Sequence, residues 1–144
     1  MTTDPKWLVL ARAELGTVEI PGPKSNPKVV QYYLDVTGKK MQDSVPWCAA
    51  FVGAMLTRSG EKSSGSLMAR SYMKWGKKVA AQPGAIAVWP RGKSPVFGHV
   101  NFVESVKGDR VVCIGGNQND AVTRASYSKS KALGFRWPEE RKVP

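Results

Sequence analysis

Apolar positions recur at helical spacing in the first half of the chain and change to short, strand-like runs in the second. Trp7, Leu8, Ala11 and Leu15 form one stripe, opened by Asp4-Pro5 and closed by Gly16. A connection rich in Pro and Gly follows. Asn26-Pro27 then starts a second helix through "KVVQYYLDVT", stopped by Gly38. The stretch "SVPWCAAFVGAML" opens a third helix that ends near Arg58 and Gly60. Ser66 is positioned to cap a fourth, "LMARSYMKWGKK".

Beyond residue 80 the period falls toward two. "GAIAVWP", "GHVNFVESV" and "RVVCIGGN" read as strands, with "KGD" connecting the last two as a hairpin, and "TRASYS" and "ALGFRW" read as two more. Helices followed by a run of strands predict one α+β domain over residues 1–144, its N-terminal helices packed on an antiparallel β-sheet. No internal repeat or low-complexity segment divides it.

Composition narrows the function. Lys and Arg number 22 against 11 acids, a net charge of +11, which favours an anionic partner such as nucleic acid or a cell envelope. No apolar run is long enough to span a bilayer, and the N-terminus lacks the apolar core of a secretory signal. Synthesis in a cytoplasm is therefore expected. Two cysteines, Cys48 and Cys113, make no disulfide framework, and a bond between them is not expected in a chain without an export signal. With His99 the sole histidine and no metal-ligand spacing, a zinc site is not expected either. A nucleic-acid module would rest on charge alone, for there is no zinc knuckle, RNP-like strand or basic recognition helix.

Cys48 falls in the first turn of the third helix, where Pro46 is tolerated and free N–H groups favour an anion. A thiol there is expected to have a lowered pKa. The bland alternative is that Cys48, on the apolar face it shares with Phe51, Val52 and Met55, is inert packing. The hairpin bears on this choice. If "KGD" is a three-residue loop joining Val106 to Arg110, His99 lies opposite Asn117 and both side chains leave one face. A two-residue loop would separate them unless a bulge intervened. An imidazole steadied by a side-chain amide suits a general base, so Cys48, His99 and Asn117 make a candidate thiol-hydrolase triad. Gly98, Gly115 and Gly116 are strand breakers or sites of close approach for a substrate backbone. Cys113, by alternation, belongs to the core.

"VPWCAAFV", "GHVNFV" and "VCIGGNQND", with "ELGTVEIPGPKSNPKVVQYY", "ARSYMKWG" and "LGFRWP" around them, resemble the CHAP-like cysteine peptidoglycan hydrolases of phage lysins, within the NlpC-type, papain-like clan. The resemblance covers most of the chain. It implies a papain-like α+β fold, Cys48 as nucleophile, His99 as base and Asn117 as the orienting third member. It also implies no cofactor, and bacterial peptidoglycan within an anionic envelope as the partner of a monomer needing no protein partner. Cleavage of a muramyl–alanine amide or of a stem-peptide bond is implied, after release from a host cytoplasm through a holin. Trp47, Gly98, Gln118 and the "PRGKSPVFG" loop are expected to line the substrate groove, with a core position the alternative for Trp47. The contrasting expectation is a non-enzymatic basic module that binds nucleic acid or cell wall.

Overall fold

Local chemistry sets the helix boundaries. Pro27–Thr37 (α2) begins where the Asn26 side-chain oxygen accepts the Lys28 amide at 2.9 Å. Pro27 stands at a position that needs no helical N–H, and Gly38 ends the helix in the left-handed conformation. Before it lies Lys6–Ala13 (α1), and after it Cys48–Arg58 (α3), whose positions 48–56 are all buried. The computed structural model describes residues 4–19, 26–39, 47–118 and 120–139, so the expected roles of Ser44 and Pro46 lie outside the described residues.

The expected fourth α-helix is replaced by a 3₁₀ segment, Ala69–Lys74. Ser66 does accept the Met68 amide, at 3.0 Å. Gly76 then turns the chain at φ +62° into a strand of two residues, Lys77–Lys78 (β1), and the helical period has no room to continue. The strands that follow are Ile86–Pro90 (β2), Gly98–Lys107 (β3), Arg110–Gln118 (β4), Ala121–Ser128 (β5) and Gly134–Trp137 (β6). All pair antiparallel in the order β1-β6-β2-β3-β4-β5, with β6 crossing back to lie beside β2.

Alternation along the strands builds two apolar clusters. Ile86, Val88, Val100, Phe102 and Ile114 meet the helices, where Phe51 of α3 packs edge-on against Tyr32 and Phe102. Ala85, Ala87, Trp89, Val103, Val111 and Cys113 form the other. Trp89 of β2 stacks on Tyr127 of β5 at 4.5 Å although two strands separate them in the sheet. The sheet is therefore strongly curled, an extreme of its ordinary twist.

The hairpin that governs the site differs in detail from expectation. Lys107 pairs directly with Arg110, so the turn has two residues, Gly108 and Asp109, with Gly108 at φ +61°. A bulge at Glu104 then inserts one residue into β3. Beyond it, Val103 faces Cys113 and Phe102 faces Ile114, the register that a three-residue loop would have given.

The bulge residue is held by charge. Glu104 accepts Arg12 Nε at 2.7 Å and Arg124 Nε at 2.6 Å, tying α1 and β5 to β3. The hydrogen bond from Arg124 leads the causes that hold its carboxyl below the ordinary value, ahead of the opposing effect of burial. A carboxyl depressed on folding stabilises the protein above its unfolded value and loses that contribution as pH falls through its folded one. Glu104→Gln should therefore unfold at lower urea concentration than the unsubstituted protein at pH 7. The gap in midpoints should close as pH falls below 4.5; midpoints measured across pH would test this, and a constant gap would refute it.

Candidate active site

Cys48 is the first residue of α3 and only 5% exposed. Trp47, just before it, is fully buried: its ring stacks on Tyr32 at 6.0 Å and its indole N–H donates to Glu19 Oε1 at 2.9 Å. Trp47 is a core plug and lines no substrate groove. It is also part of why the helix mouth sits where it does. A methyl group on Gly116 would lie 2.7 Å from both Trp47 Cε3 and Phe51 Cβ, so β4 passes the start of α3 at backbone contact.

That passage opens the sheet. Val103 exchanges backbone hydrogen bonds with the β2 side, through Ala85 O and the Gly84 amide, so by alternation Phe102 and Val100 point theirs toward β4. The β3–β4 pairing ends at Phe102 and Ile114. Beyond that point the Cys48 sulfur feels the Val100 backbone amide as well as the N–H groups of Ala49 and of Cys48 itself. Cys48 thus rests against the residue next to His99.

Burial nevertheless dominates the thiol. It pushes the Cys48 pKa above the ordinary value, against the opposing pull of the Val100 and Ala49 amides, the Arg91 charge and the residue's own amide. The lowering expected from the helix start alone is outweighed. Burial also pushes the His99 imidazole below its ordinary value, aided by Arg91 and opposed by the hydrogen bond to Gln118. At neutral pH the resting pair is a thiol and a neutral imidazole.

Gln118, and not Asn117, steadies that imidazole: His99 Nε2 lies 3.0 Å from Gln118 Oε1. The amide's orientation is fixed independently, because Gln118 Nε2 donates to the Thr123 carbonyl at 2.9 Å. Its oxygen also accepts Asn101 Nδ2 at 2.9 Å and the Tyr127 hydroxyl at 3.1 Å, while Asn101 Oδ1 accepts the Trp89 indole at 2.9 Å. Burial pushes the Tyr127 pKa up to about 12, so it remains a donor. An oxygen that can only accept requires a proton on His99 Nε2. Nδ1 is left with its lone pair free.

The change from Asn117 to Gln118 has a backbone cause. Gly115 pairs with Thr123 but Gln118 with Ala121, so β4 carries one extra residue, and Asn117 takes φ +59°. This second bulge breaks the alternation and brings Gln118 onto the face of His99. Asn117 lines the cavity beside them, a space of about 460 Å³ walled by Trp89 and Tyr127. Gly115 gives the network room, since a methyl there would lie 2.6 Å from Gln118 Oε1 and 2.7 Å from Asn101 Cβ. At Gly98 a methyl would meet the Trp89 carbonyl oxygen at 2.7 Å. Close approach at these three glycines is made by the protein's own groups, Gly98 among them, whereas Gln118 lines the cavity together with His99 and Asn117. The loop before Gly98 is held by Arg70, which donates to Ser94 O at 2.7 Å and Phe97 O at 2.9 Å.

Trp89, Asn101, Thr123 and Tyr127 escaped the sequence reading. A signal existed for one of them: Asn101 interrupts an apolar strand two residues from His99, on its face. Cys113 is a free thiol in the cluster away from the helices, pushed up to about 12 by burial. Among the described residues no group of His, Cys, Asp or Glu is arranged to hold a metal, and no helix is long and apolar enough to cross a membrane.

Comparison with known proteins bears on this arrangement. No curated protein matches the chain. Among solved structures it is similar to an NLP/P60-family protein described as similar to a lipoprotein, from Staphylococcus aureus subsp. aureus Mu50, at 13% identity and a TM-score of 0.49. That likeness covers 85% of this chain and 45% of the other. It is also similar to Ly7917, at 18% identity and a TM-score of 0.43 over 95% of this chain and 63% of that one. The chain thus spans less than two thirds of either. The CHAP domain family matches residues 40–117, more than half of the sequence, from ahead of Cys48 through His99 to the residue before Gln118. The chain belongs to the CHAP domain family.

Proposed function

We propose that this protein is a cysteine hydrolase that cuts an amide bond in the stem peptide of bacterial peptidoglycan, with Cys48 as nucleophile and His99 as general base. The observation that carries the reading is the hydrogen bond from His99 Nε2 to a Gln118 oxygen whose orientation is independently fixed. It supports an imidazole held in one tautomer, with Nδ1 ready to take a proton.

In this mechanism the Cys48 S–H proton passes to His99 Nδ1 as the sulfur attacks the amide carbon. The carbonyl oxygen becomes an oxyanion, stabilised by the backbone N–H groups gathered at the helix start. His99 then gives its proton to the leaving nitrogen, the C–N bond breaks, and an amine and a Cys48 thioester result. Water, deprotonated by His99, attacks the thioester, and the carboxylic product leaves as Cys48 regains its proton. Gln118 is a positioning residue that holds the imidazole and, through its carbonyl dipole, stabilises the charged ring. The reaction so written needs no cofactor. The net charge of +11 supports attraction to an anionic envelope, an attraction that salt would screen. The cell wall is accordingly the site of action, reached from the cytoplasm by a lysin's route of release.

Loss of turbidity of purified peptidoglycan should be abolished by Cys48→Ala and by His99→Ala, with both variants folded by circular dichroism. Lysis at the normal rate by either would sink the assignment. Mass spectrometry of the released fragments would then distinguish a muramyl–alanine amidase from an endopeptidase.

Because the base must be neutral and burial lowers its pKa, the midpoint of the acid limb of kcat/KM should lie below pH 6.5. A midpoint above pH 6.5 would contradict the direction of that shift.

Gln118→Ala should reduce kcat by about 10²-fold with little change in KM, as expected where a general base loses its orientation. Gln118→Glu should move the acid limb upward, because a carboxylate favours the imidazolium. A purely structural role for Gln118 would leave the position of that limb unchanged in the glutamate variant.

A further inference from the structure

The cavity beside His99 carries a charge pattern that the hydrolytic mechanism does not use. Arg91 and Lys131 both line it, and neither enters an ion pair among the described residues. No described carboxylate lines it. The Arg91 charge reaches both reacting groups, pulling the pKa of Cys48 and that of His99 downward. Asn117, which makes no hydrogen bond to another described residue through its side chain, adds an amide able to donate. The stacked rings of Trp89 and Tyr127 wall the space with apolar surface.

A cavity of about 460 Å³ is of the size that takes a small ligand or one to two amino-acid residues. Two cations without internal partners, an amide donor and an aromatic wall together suit a short, anionic peptide group. A polymer backbone bound along the surface would require an open stripe instead. We infer that this cavity is the specificity subsite for a free carboxylate of the stem peptide, held by Arg91 and Lys131, with Asn117 beside them. The inference rests on the hydrolase reading and deepens it, naming the substrate feature selected next to the scissile bond. His99 belongs to the same cavity wall, so a carboxylate bound there lies in the same compartment as the base.

The test uses soluble muropeptides in which each carboxylate in turn is converted to the carboxamide, cleaved by the full chain at low ionic strength. Amidation at one position should lower kcat/KM by about tenfold or more, mainly through KM, since a charge-assisted contact made in ground and transition states alike acts on binding. In R91Q, and more completely in R91Q/K131Q, that acid-to-amide ratio should fall toward one. Thermal melting curves would show that the variants remain folded. Equal cleavage of every acid and its amide by the unsubstituted protein, or a preference that persists in the double variant, would overturn the inference while leaving the hydrolase reading in place. Failure to cleave any of the peptides would overturn that reading and this inference with it.

Discussion

The site depends on the parting of two strands. β3 and β4 pair regularly from their turn to Phe102 and Ile114, and there the mouth of α3 holds them apart. Trp47 and Phe51 press on the bare backbone of Gly116, and a side chain at that position would have no space. Just beyond the end of that pairing, the Val100 amide acts on the Cys48 sulfur. One steric event thus exposes a strand edge and brings a thiol to it. It also leaves His99, the next residue, beside a cavity that a closed sheet would have filled.

Opposing effects set the electrostatics of the pair, and their magnitudes decide the outcome. The helix start and its amides favour a thiolate, but 5% exposure removes more from the charged form than they return. The imidazole loses its charged form for the same reason. Nucleophile and base are both neutral at rest, and charge arises only when the proton moves between them. A neutral amide at 118 suits this condition. Its oxygen gathers three donors without fixing a permanent negative charge beside the ring.

The helices were legible because their signals are local. Asn26, Pro27 and Gly38 act within a few residues of α2, and the structure uses each as its chemistry suggests. The strands were legible from period and composition. The failures arise where one residue changes the count. The two-residue turn and the Glu104 bulge offset one another, so the register near His99 matched although its route did not. Nothing in "FVESV" marks Glu104 as a bulge, because the arginines that hold it come from α1 and β5. Likewise the αL residue at Asn117 exchanges the roles of two neighbouring amides, and alternation cannot reveal it. Cys48 and His99 stood out by helix position and by scarcity, whereas Thr123 and Tyr127 belong to the site through contacts alone.

The two bulges act in opposite directions. Carried on from Phe102 and Ile114, beyond the Glu104 bulge, the β3–β4 register would set Asn117 opposite His99 and turn Gln118 to the other face. The bulge in β4 reverses this and places the longer amide on the imidazole. The extra methylene lets one carbonyl oxygen meet ring, phenol and Asn101 while the amide nitrogen reaches back to Thr123. An asparagine at 117 with φ +59° accepts the conformation that such a bulge demands at low cost, since Asn enters the left-handed region more readily than most residues. The two amides therefore divide the work: one bends the strand, and the other, displaced by that bend, holds the base.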